Sequence, residues 1–329
     1  MSGEKTEKER VLTMSSHSSS GSTNKASTKK CLWTWPEHKL NRYSLMGIIN
    51  VTPDSFYDGG RFYHSEASEK VKKATEQGLR FIEEGALYLD VGGESSRPGA
   101  EPVSESEEID RVIPVIEAIL KEEPRAIISI DTVKPKVASL ALQSGARIIN
   151  DIRGLRDAEM CQVAVQWNAG VVMMHMRGVP KTMQVGDLYS EDVVKMTYNW
   201  LENALNNAEK KGLTKKQISI DIGIGFGKTV GQNLLLIKKL DQFLSLNCNI
   251  LVGVSRKSFI GALSGENVDD RLPGSLAAMI AAMNRGGKIF RVHDVAASRQ
   301  AMILAQAIEV GEKGVPPLSL VEYVRDEGK

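Results

Sequence analysis

Asp131, Asn150 and Asp221 each lie at or near the end of a short apolar run. Two carboxylates and an amide form a set of hydrogen-bond acceptors suited to a flat heterocycle with N–H donors along one edge. Oxygen ligands of this kind could also hold a hard cation. With one histidine nearby, the Asn–Asp mixture fits an amidine-like edge better. For any single aspartate the plainest alternative is a helix N-cap. Arg291 and His293 stand two residues apart in another apolar run, so on a strand their side chains share a face. Together with Asn50 they can hold a diphosphate, the arginine by paired hydrogen bonds. The competing reading is an ion pair with Asp294.

Some apparent motifs fail inspection. Residues 223–229 read Gly-Ile-Gly-Phe-Gly-Lys-Thr, but Ile222 occupies the first glycine position of a phosphate-binding loop. Lys228 occupies the last glycine position of the dinucleotide pattern. The segment is read as a tight glycine loop after a strand. Asn50-Val51-Thr52 is formally a glycosylation site, but Asn50 belongs to an expected buried strand in a chain with no apolar secretory core. Cys31, Cys161 and Cys248 are far apart and fit neither a disulfide framework nor a zinc ribbon.

The elements must place these residues together. Most of the apolar runs at 45–51, 88–92, 127–131, 147–151, 170–176, 218–224, 250–255 and 289–294 are hydrophobic on successive residues, as parallel strands buried on both faces are. Helical patterns separate them. Ser104 and Glu107 form a capping-box signature, followed by Ile109, Val112, Ile113, Ile116, Ile119 and Leu120 at helical spacing. Pro114 should kink that helix or mark its first turns. Further helices are expected over 191–211 and 276–284. Eight β-then-α units imply an α/β fold, a (β/α)8 TIM barrel over 41–315, with a doubly wound open sheet as the alternative. Polar residues at all eight strand ends, His175 and Lys257 among them, imply a rim lined for a polar ligand. Loops 52–64 and 92–103 have the polar, glycine-rich composition of lids. The Ser/Lys-rich segment 1–40 is expected to be a disordered tail, and 316–329 a short C-terminal tail.

Composition sets the outer limits. The 329 residues carry 42 Lys+Arg against 41 Asp+Glu, a net charge of +1 that argues against a nucleic-acid binder. No apolar run approaches the roughly 18 residues of a membrane span.

Taken together, the ordered motifs carry a resemblance. They are 46–56 (MGIINVTPDSF), 92–99 (GGESSRPG), 130–132 (IDT), 149–151 (IND), 174–176 (MHM), 223–228 (GIGFGK), 255–258 (SRKS) and 291–294 (RVHD). Over residues 45–309 the chain closely resembles the dihydropteroate synthase family, the sulfonamide target of folate biosynthesis. The resemblance implies condensation of 6-hydroxymethyl-7,8-dihydropterin diphosphate with 4-aminobenzoate. It places Asp131, Asn150, Met174, Asp221, Phe226 and Lys257 at the pterin. It places Asn50, Ser96, Arg291 and His293 at the diphosphate, with Mg2+ at Asn50. Phe56, Ser96, Arg97, Phe226 and Ser258 fall to the aminobenzoate, and Asp58 joins Asp131, Lys257, Arg291 and His293 as catalytic. It further implies a cytoplasmic homodimer, with 276–283 either at the interface or in the core. This chain departs from the family pattern at Ile222, where proline is usual, and at Tyr57 and Ser96. Two other functions remain open on the residues alone: a methyltransferase using methyltetrahydrofolate, and a non-catalytic pterin-binding paralogue.

Overall fold

The computed structural model describes residues 34–35, 43–52, 65–95, 101–178 and 192–311. In chain order the elements are β1 (Ser44–Asn50), α1 (Ser65–Glu83), β2 (Tyr88–Gly92), α2 (Glu105–Glu122), β3 (Ile127–Asp131), α3 (Pro135–Gln143), β4 (Ile148–Asp151) and α4 (Ala158–Trp167). They continue with β5 (Gly170–Met174), α5 (Val193–Lys210), β6 (Ile218–Asp221), α6 (Val230–Lys238), β7 (Asn249–Val252), α7 (Ser258–Ser264), α8 (Leu272–Met283), β8 (Ile289–Val292) and α9 (Val295–Val310). The strands pair in parallel in sequence order, and β8 pairs with β1. Closure rules out the open sheet.

Residue alternation assigns the two faces of the barrel. Leu45, Ile49, Leu89, Val91, Ile128 and Ile130 pack outward beneath the helices in the main core. Met46, Tyr88, Ile148, Val172, Leu251 and Ile289 form a second cluster inside the barrel, near the strand starts. Two residues further along β1, β2, β4, β5 and β8 the same inward face carries Ile48, Asp90, Asn150, Met174 and Arg291. The barrel interior is therefore apolar below and polar above.

Trp35 closes the apolar end. Its side chain is buried in the inner cluster and meets the Tyr88 ring edge-on at 5.4 Å. The indole Nε1 donates to the carbonyl of Gln217 at 2.9 Å and to that of Val171 at 3.3 Å. The backbone N–H of Trp35 bonds to the Lys216 carbonyl. A residue ahead of the first strand thus belongs to the barrel floor.

Five strands end earlier than the apolar runs, at Asn50, Met174, Asp221, Val252 and Val292. Beyond these points the chain turns out of the sheet. His175, Ser255 and His293 consequently sit in the loops that follow. In α2 the capping box is half formed: Ser104 Oγ accepts from the Glu107 N–H, but Glu107 pairs with Arg111. Pro114 lies in the helix interior, not its first turns, and costs that helix one hydrogen bond.

Candidate active site

The polar upper layer is organised by one arginine and two aspartates. Arg291, on β8, donates from Nε to Asp90 Oδ2 and from Nη2 to Asp131 Oδ2, both at 2.6 Å. Asn150 Nδ2 donates to the same Asp90 oxygen at 2.9 Å. Asp90 is fully buried, so its charge needs such partners. Burial raises the Asp131 carboxyl to about 7, with Arg291 pulling it down and Asp90 pushing it up. Burial also works against the Arg291 cation, but the Asp90 and Asp131 carboxylates outweigh it and the group is held above its ordinary value.

Beside this network lies Lys257, in the loop after β7. Burial and the Arg291 charge lower its ammonium to about 8, against the pull of Asp221 and Asp131. Nζ stands 4.2 Å from the centre of the Phe226 ring, a cation–π contact. Asp221 ends β6, and burial raises its carboxyl. Its Oδ1 accepts from the Gly223 N–H at 2.7 Å, which fixes the side chain across the mouth. Met174, Met176 and Ile152 form a small apolar cluster at this end of the barrel, with Val133 and Phe226 packed against it. Acceptors and cations thus share one mouth with a flat-walled apolar patch.

The loop from Asp221 to Thr229 is held by backbone geometry and one lysine. Gly223 has φ +67°, and a Cβ there would lie 1.8 Å from the His175 carbonyl oxygen, so only glycine fits. Lys228 is buried and donates to the carbonyls of Gly223 (2.8 Å), Phe226 (3.1 Å) and His175 (3.3 Å). Burial lowers its ammonium to about 7, against Asp221. Asn233 completes the turn by accepting from the Gly225 N–H at 2.7 Å. The glycine loop is a structural clamp that aims Asp221 and Phe226.

His293 lies next to the network. Ser255 Oγ accepts from its backbone N–H at 3.2 Å and lies 3.0 Å from ring Nδ1. Were the Ser255 hydroxyl to donate its proton to Nδ1, the ring proton would lie on Nε2, available to an anion. Burial and the Arg291 and Arg256 charges push His293 down to about 4, so the ring is neutral near pH 7. Asp294 does not pair with Arg291. It binds Arg256 through two hydrogen bonds, at 2.7 and 3.0 Å. That pair helps hold Arg256 at φ +56°, an uncommon conformation that sets the direction of Lys257 and Ser258.

Several expected residues fall differently. Asn50 ends β1, opposite Gly92 on β2, and is half-buried. Ser258 is exposed at the start of α7. His175 is withdrawn from the mouth: it is buried, meets the Trp200 ring edge-on at 5.2 Å, and is pushed down to about 2 chiefly by burial. The expectation that every strand end lines the rim fails there, because Met174 faces inward and the next side chain therefore points outward, toward α5. Asp151 turns inward on its own loop, accepting the N–H groups of Arg153 and Leu155. Phe56, Asp58, Ser96 and Arg97 lie outside the described residues. Sequence reasoning counted Asp90 and Arg256 among the polar rim residues and Lys228 in the glycine loop, but gave none of the three a specific partner. For Asp90 a signal existed: an aspartate at an inward position of a five-residue strand that is otherwise apolar or glycine.

This fold and mouth define a (β/α)8-barrel enzyme with its polar ligand site at the C-terminal rim of the strands. Residues 46–293 match the family of pterin binding enzymes, and the chain belongs to that family. Over 263 residues it is 41% identical to a dihydropteroate synthase of Haemophilus influenzae, covering 80% of this chain and 93% of the relative. Among solved structures, a Xanthomonas albilineans dihydropteroate synthase with 4-aminobenzoic acid superposes with a TM-score of 0.75 at 41% identity, covering 82% of this chain and 94% of that one. The same organism's enzyme in complex with 7,8-dihydropteroate gives 0.72 at 39% identity, covering 83% and 95%.

Proposed function

We propose that this protein condenses 6-hydroxymethyl-7,8-dihydropterin diphosphate with 4-aminobenzoate, giving 7,8-dihydropteroate and diphosphate. The carrying observation is the shared mouth: Asp131, Asn150 and Asp221 supply acceptors beside Arg291, Lys257 and the neutral His293. A pterin edge needs the first set and a departing diphosphate the second. The bond between the pterin methylene and the bridging oxygen breaks, and its electron pair leaves with diphosphate. Arg291 and the His293 Nε2–H stabilise the growing negative charge. Asp131 and Asp221 stabilise the electron-poor pterin. The aminobenzoate nitrogen then attacks the methylene and loses a proton. Phe226, Ser258 and the loops bearing Phe56, Asp58, Ser96 and Arg97 are assigned to the aminobenzoate.

The site also suits a magnesium ion. Asn50 offers a half-buried amide with no side-chain partner among the described residues, and no group of three carboxylate, histidine or cysteine side chains stands ready there to take a metal alone. Mg2+ is commonly held by one or two protein oxygens together with substrate phosphates. Bound through Asn50, it would neutralise charge on the diphosphate. The reading includes a homodimer, testable by light scattering, and a cytoplasmic setting, which the free thiols of Cys161 and Cys248 suit.

The direct test is diphosphate release from the two substrates with Mg2+, with the pteroate product identified by mass. No release at saturating substrate would overturn the proposal. Methyl transfer from methyltetrahydrofolate would replace it with the methyltransferase reading. A sulfonamide should compete with 4-aminobenzoate.

A further inference from the structure

From this geometry we infer that Asp90 is a positioning residue that fixes which end of the Asn150 amide faces the ligand, and so sets the hydrogen-bond polarity of the heterocycle pocket. The inference rests on the pterin reading of the site and deepens it.

A primary amide has two unlike ends, a donor NH2 and an acceptor oxygen, and it can present either one. An ionised carboxylate can only accept. Asp90 is fully buried, third of five residues in β2, with its side chain on the inward face. Its Oδ2 lies 2.9 Å from the Asn150 side-chain nitrogen, so the NH2 must face Asp90. Asn150 is itself buried in β4, in register with Asp131 on β3. With its donor end held below, its oxygen becomes the acceptor offered beside Asp131. The pocket then matches a ring edge of N–H donors and rejects one that presents a carbonyl or ring-nitrogen acceptor at that place.

The same Asp90 oxygen accepts from Arg291 Nε at 2.6 Å. Arg291 Nη2 reaches Asp131 at the same distance, so one cation holds both acids. Asp90 Oδ1 has no partner among the described residues, so its hydrogen-bonding capacity is directed through Oδ2 to Arg291 and Asn150. A simpler role, a counter-ion for Arg291 alone, would leave Asn150 free to present either end.

The two roles separate by ligand. Free 6-hydroxymethylpterin, without a diphosphate, reports on the amide pocket and not on the phosphate site. In the full-length protein, Asp90→Asn should weaken calorimetric binding of free pterin by about tenfold or more, the scale of one hydrogen bond lost or reversed. The exchanged pair Asp90→Asn/Asn150→Asp restores a carboxylate, an amide donor at position 90 and an acceptor at position 150. It should recover most of the lost pterin affinity. Unchanged free-pterin binding in Asp90→Asn, with only the diphosphate substrate weakened, would reduce Asp90 to a counter-ion and overturn the inference. So would an exchanged pair no better than the single variant. If Asp90→Asn does not fold, Asn150→Asp takes its place. Its two facing carboxylates should bind pterin worse than the exchanged pair, and equal binding refutes the idea. Wild-type protein that binds no pterin would defeat the functional reading itself, whereas wild type and Asp90→Asn binding alike would defeat this inference alone.

Discussion

Replacing Arg291 with methionine removes the cation bonded to both Asp90 and Asp131 while keeping most of the side-chain volume. Asp131 already titrates at about 7, and Arg291 is the neighbour that holds it down. Without the guanidinium its folded value rises further. An unfolded aspartate is ionised above about pH 4, so the folded variant binds one more proton than the unfolded chain up to that raised value. Stability therefore falls with rising pH across the window, by about 1.4 kcal/mol per pH unit for one proton. In the wild type this fall ends near 7, whereas in the variant it continues. The stability gap between them should widen by up to about 3 kcal/mol from pH 7 to pH 9, provided the raised value reaches the top of that range. That lies within the roughly 3–5 kcal/mol ceiling for breaking a buried pair. In thermal unfolding it corresponds to a Tm gap growing by roughly 4–6 °C. The assay is a melting series on both proteins across that range, with Asp131→Asn added to the variant as a control that should flatten the trend. A gap that stays constant with pH would refute the reasoning, because the loss would then be packing and not an uncompensated carboxylate.

Three further outcomes are expected. Lys257→Ala should lower turnover by about a hundredfold or more, since it removes an ammonium from a buried site where fixed charge counts most; a near-normal rate removes Lys257 from the site. The pH profile of kcat/KM should rise through about 7 as Asp131 ionises and fall above about 8 as Lys257 loses its proton, and a profile flat across that range contradicts those roles. Trp35→Ala should cost about 3–5 kcal/mol of stability through the cavity it leaves in the barrel floor, yet leave kcat/KM unchanged at temperatures where the protein stays folded; a tenfold loss of activity would mean that the floor communicates with the mouth.

The sequence by itself determined the number and order of strands and most of the residues at the mouth. Continuous apolar runs that end in polar residues are local patterns, and they survive in the barrel nearly at their expected positions. Asp131, Asn150, Asp221, Lys257, Arg291 and His293 were readable for the same reason: each sits where an apolar run gives way. Local pattern could not say which strands meet or which face turns inward. Asp90 and Arg291 are 201 residues apart in the chain, and their contact exists because β8 closes on β1 beside β2. The same closure decides that Asp90 points at Asn150. Arg256 takes Asp294 away from Arg291 because a left-handed backbone turn aims it there. His175 leaves the site because it follows the inward-facing Met174 and so points outward to Trp200, and Lys228 becomes a clamp because three carbonyls from two loops converge on it. Periodicity fixes which side chains share a face, but partners distant in the chain are set by the packing that brings those faces together.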